Sequence, residues 1–60
     1  MDLIEELKQT MKEHGFSCDS MARFIGCSGK TVDRWLAGES TPTKVYQRLI
    51  RKGLRRVKKL

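Results

Sequence analysis

The stretch SMARFIGCSGKTVDRWLAG, residues 20–38, decides how this chain folds. It contains Gly29-Lys30-Thr31, the end of a phosphate-loop signature. The first glycine of such a loop would have to stand where Phe24 is, and no strand-like run precedes it. The apolar residues follow a helical step instead: Met21, Phe24 and Ile25, then Val32, Trp35 and Leu36. Ser17 and Ser28 stand where helix N-caps belong, and Gly26 and Gly38 stand where the two runs stop. The pattern predicts two short helices, about residues 17–25 and 28–37, on either side of a tight turn at Gly26-Cys27. Two helices cross closely only with a small inward residue and a turn residue that tolerates positive φ, and Ala22 and Gly26 supply these four positions apart.

Outward from this pair the same periodicity continues. Leu3, Ile4, Leu7, Met11 and His14 predict a first helix over about residues 2–14, capped by Asp2 and ended by Gly15. Thr41-Pro42 reads as the entry to a last helix, in which Val45, Tyr46, Leu49, Ile50, Leu54 and Val57 keep the period. Around that stripe, which ends at Leu60, stand Lys44, Arg48, Arg51, Lys52, Arg55, Arg56, Lys58 and Lys59. No β-type alternation and no Asn-Gly turn interrupts the helical signal. The expected fold is all-α, a single domain over residues 1–60 with four helices, or five if Gly53 breaks the last one.

Sixty residues leave only a small core, so such a domain depends on well-made helices. With 38% hydrophobic and 33% charged residues the chain is globular in composition, and no apolar run approaches the roughly 20 residues of a spanning helix. The acidic start, Asp2 to Glu6, lacks the positive region of a signal peptide, which makes a cytoplasmic location the expectation. The net charge of +6 is unevenly spread. Residues 1–20 hold five acidic against two basic residues, net −3, whereas residues 21–60 hold eleven basic against two acidic, net +9. A basic half on a small domain is the electrostatic footprint of a polyanion partner.

The segment 18–37 resembles the helix-turn-helix of phage repressor and Cro-type transcriptional regulators. It does so through Ala22 at the crossing, Gly26 in the turn, apolar Met21, Ile25, Val32 and Trp35, and the Trp35-Leu36-Ala37-Gly38 exit followed by Pro42. The resemblance implies a lambda-repressor-like domain that binds double-stranded DNA with the second helix of the pair in the major groove. It assigns base reading to Lys30, Thr31, Asp33 and Arg34. Arg34 leads, because a guanidinium can make two parallel hydrogen bonds to guanine. It assigns phosphate contacts to Ser17, Ser20, Arg23, Ser28, Gly29, Ser40, Thr41, Thr43 and Lys44, with Gly29 allowing close approach to the bases. The chain departs from the family at Cys18, where many relatives carry a glutamine that grips the backbone, and at Ala37, where they carry a polar residue.

Three further readings stay open on the residues alone. The basic last helix could pack on the first, touch phosphates, or form the seam of a homodimer reading two half-sites. The helix-turn-helix shape could serve a protein-interaction or accessory role, or the tail could bind nucleic acid without sequence preference. No enzyme activity, cofactor or small-molecule ligand is expected. His14, Cys18 and Cys27 lack the fourth ligand of a zinc site, and the two cysteines are expected to be reduced.

Overall fold

The computed structural model describes residues 2–59. These form four helices and no strand: α1 (Leu3–His14), α2 (Cys18–Ile25), α3 (Gly29–Ala37) and α4 (Lys44–Lys58). Leu60, where the apolar stripe ends, lies outside the described residues.

Each helix starts at a side-chain cap. Asp2, Ser17, Ser28 and Thr43 accept the backbone N–H of Ile4, Ser20, Thr31 and Tyr46, respectively. Such a cap contributes about 1 kcal/mol by satisfying a donor with no partner within the helix. The expected entry to the last helix is thereby corrected. Thr43, not Thr41, is the cap, and Pro42 stays outside the helix, where its carbonyl accepts the side-chain amide of Gln47 at 3.1 Å.

Gly26 adopts φ 95°, and its N–H bonds Ala22 O at 2.7 Å, so α2 ends abruptly and α3 can begin three residues later. Only glycine takes this left-handed conformation without strain. Ala22 is buried, at 2% exposed.

The core is one cluster built from every helix. Leu7 and Met11 come from α1, Met21, Ala22 and Ile25 from α2, Val32 and Trp35 from α3, and Ile50, Leu54 and Val57 from α4. Helix α2 sits between α3 and α4, and α1 lies across α4 and α3. Thr10, unmarked by the apolar pattern, is also buried, and no buried side-chain polar atom among the described residues lacks a partner. In the first turn of α1, Glu6 meets the Lys58 ammonium at 3.1 Å.

Gly53 does not break the last helix, which runs on through it as α4. Its missing side chain serves packing. A Cβ there would come within 3.1 Å of Ile25 Cγ1 and 3.2 Å of Phe24 O, so α4 crosses the last turn of α2 nearly backbone to backbone. The stripe on α4 is only partly buried, too. Ile50, Leu54 and Val57 are inside, Tyr46 and Leu49 are half-buried, and Val45 is 68% exposed.

Among the described residues no helix is long and apolar enough to cross a membrane.

Candidate nucleic-acid interface

Helix α3 is anchored on one side and open on the other. Val32 and Trp35, three residues apart, are in the core, and the Trp35 ring meets Tyr46 of α4 edge-on at 5.4 Å. The opposite side exposes Lys30, Asp33, Arg34 and Ala37. Lys30 and Arg34, one helical turn apart, project from the same face. Both are free of carboxylate partners, because the single ion pair among the described residues joins Lys58 to Glu6. Asp33 therefore does not pair with Arg34.

Thr31 is half-buried, and its hydroxyl lies 2.8 Å from that of Ser28. The hydroxyl is thus turned toward the cap, and any meeting with a base is left to its methyl group.

Gly29 has a different reason from close approach to bases. An added Cβ would collide with the Asp19 carboxylate and stand 3.1 Å from Asp19 Cα, so glycine is what lets α3 start against the first turn of α2. Asp19 consequently brings a negative charge beside the first residue of α3, where a phosphate would otherwise find the positive end of the helix dipole. The sequence offered no local signal for this, since the two residues are ten positions apart and meet only in the folded pair.

Cys18 stands at the start of α2, half-buried. Burial pushes its thiol above the ordinary range, and the negative charges of Asp33 and Asp19 push the same way, against a backbone hydrogen bond that lowers it. Burial alone raises the Cys27 thiol. Both cysteines are free.

The remaining candidates fall into three places. Ser17 and Ser20 meet at the start of α2, where the Ser17 hydroxyl donates to Ser20 Oγ at 3.1 Å while accepting from Ser20 N at 3.2 Å. The Ser20 hydroxyl proton stays available. Ser40, Thr41, Thr43 and Lys44 are all exposed between the end of α3 and the start of α4, and the capping Thr43 keeps its own proton to donate. Arg23 shares Ser20 with the first group: the two line a concavity with Phe16, Phe24 and Arg56, to which α3 contributes no residue. Sequence reasoning missed that grouping, because Phe16, Arg23 and Arg56 come together only through the packing of α4 on α2.

Among the described residues no three His, Cys, Asp or Glu side chains converge as metal ligands would. No family model, curated protein or solved structure matches this chain.

Proposed function

We propose that the domain is a sequence-specific double-stranded DNA-binding protein, a transcriptional regulator of the repressor type that acts by occupying an operator. Helix α3 lies in the major groove, and Arg34 and Lys30 meet base edges. The observation that carries the reading is the two-sidedness of α3. Val32 and Trp35 fix it in the core while Lys30 and Arg34 project together, unpaired, from the exposed face. A major groove about 12 Å wide admits a helix only when that face is unobstructed. The tight turn at Gly26 and the hydroxyls near both ends of the α2–α3 pair add support, since they suit phosphates flanking the groove. The net +9 of residues 21–60 supplies the long-range attraction.

A homodimer through α4 would rest on Val45 and Leu49, because Ile50, Leu54 and Val57 are already committed to the core. Lys44, Arg48 and Lys52 border that surface.

The test is selection from a random duplex pool, followed by titration of the selected and a scrambled duplex across salt. One motif bound far more tightly than the scramble is the expected result. Arg34→Ala then costs about 1–3 kcal/mol on the selected duplex and relaxes choice at one base pair. Equal binding of every duplex, abolished by salt, would overturn the reading.

A further inference from the structure

The concavity beside Arg23 brings two guanidiniums to a pair of aromatic rings. It is an open hollow of about 500 Å³ between the α1–α2 link, α2 and the end of α4, and its lining is Phe16, Ser20, Arg23, Phe24 and Arg56. That volume falls within the range of small-molecule sites, roughly 300–1,000 Å³. No acidic side chain lines it. Neither guanidinium has a carboxylate partner, since the one ion pair among the described residues lies elsewhere, between Lys58 and Glu6. Two exposed guanidiniums thus border one concavity with no acidic side chain between them, a donor set that suits an anion.

The aromatic side is ordered as well. Phe16 and Phe24 stack with centroids 5.4 Å apart and planes 21° from parallel, and His14 stacks on Phe16 at 5.7 Å and 23°. Both phenylalanines are only half-buried, at the edge of the core. Near-parallel rings continue a stack of planar groups as readily as they end one. The close crossing at Gly53 completes the site. It sets α4 against the Phe24 backbone, and Arg56 follows three residues later on the same side of that helix.

We propose that this concavity binds a nucleotide, its base stacked on the Phe16–Phe24 pair and its phosphate held by Arg23 and Arg56, with Ser20 as a further hydrogen-bond donor. Guanidinium pairs suit phosphate, and aromatic faces accept any base. The ligand is either a free nucleoside phosphate or an unpaired nucleotide of a strand, for both present the same base and phosphate. No residue of α3 lines the site.

The experiment is an NMR titration of the intact domain with AMP, ATP, ribose 5-phosphate and a short single-stranded oligonucleotide. Expected are shifts at the amides of residues 16, 20, 23, 24 and 56, with AMP or ATP binding about tenfold or more tightly than ribose 5-phosphate, the share attributable to base stacking. Arg23→Ala and Arg56→Ala, both at exposed positions, each weaken the nucleotide about tenfold while the spectrum stays folded. Tight binding of the oligonucleotide with weak binding of AMP and ATP assigns the site to strand-borne nucleotides, and the reverse assigns it to free ones. Arg34→Ala is the control, altering duplex choice and leaving this titration unchanged, so either reading can fail without the other. Shifts elsewhere, ribose 5-phosphate binding as well as AMP, preference for an acidic peptide over every nucleotide, or indifference to both arginine substitutions overturns the proposal.

Discussion

Replacing Gly53 by alanine separates two accounts of the last helix by sign. If Gly53 were an ordinary position in a helix interior, alanine would stabilise the domain by about 1 kcal/mol through backbone propensity alone. At this crossing, however, the new Cβ meets Ile25 Cγ1 at 3.1 Å, Phe24 O at 3.2 Å and Phe24 C at 3.3 Å. Carbon atoms pack comfortably at roughly 3.5–4.0 Å, so the helices must part by a few tenths of an ångström. Two of the three neighbours are backbone, in the last turn of α2, which the 2.7 Å bond from Gly26 N to Ala22 O holds in place. Overpacking of this kind costs about 1–3 kcal/mol. Offset by the propensity gain, the net expectation for Gly53→Ala is a loss of about 1 kcal/mol, or roughly 4–8 °C in Tm for a domain of this size. Urea unfolding followed by far-ultraviolet circular dichroism and by Trp35 fluorescence measures it, with coincident transitions checking two-state behaviour. A midpoint that rises by the equivalent of 1 kcal/mol would refute the close crossing. Gly53→Leu, which no small movement accommodates, should prevent folding.

Two further outcomes follow from the charges. Asp33→Asn removes a negative charge that holds the Cys18 thiol up, so its pKa falls, more thiolate is present at pH 8, and iodoacetamide labels Cys18 faster while Cys27 keeps its rate; an unchanged Cys18 rate, read by mass spectrometry, would show that Asp33 does not face the thiol. Lys58→Ala, which breaks an ion pair whose side chains are 58% and 36% exposed, should change stability by less than about 0.5 kcal/mol in the same urea assay, and a loss above 1 kcal/mol would contradict its solvent screening.

The local signals were legible in the order of residues. The caps at Asp2, Ser17 and Ser28, the stops at Gly15, Gly26 and Gly38, and the helical step of Met21, Ile25, Val32 and Trp35 each act within a few positions. They were enough for all-α architecture, with four helices or five, and for the candidates Lys30, Asp33 and Arg34, which are exposed, while Thr31 and Gly29 are half-buried. Thr43 was less legible, because Thr41 and Thr43 are both capable caps beside one proline and only the final geometry selects between them.

Tertiary packing alone decided what depends on residues far apart in the chain. Gly53 reads as a helix breaker until Phe24 and Ile25 are found against it, and Gly29 reads as an open approach to DNA until Asp19 occupies the space. Val45 belongs to the same periodic stripe as Ile50 and Leu54, yet it is exposed, because periodicity gives the side of a helix and not how far along the helix a neighbour covers it. The pairing of Arg23 with Arg56 beside Phe16 and Phe24 has the same origin: thirty-three positions separate the two arginines, and only the close passage of α4 over α2 brings their charges to one concavity.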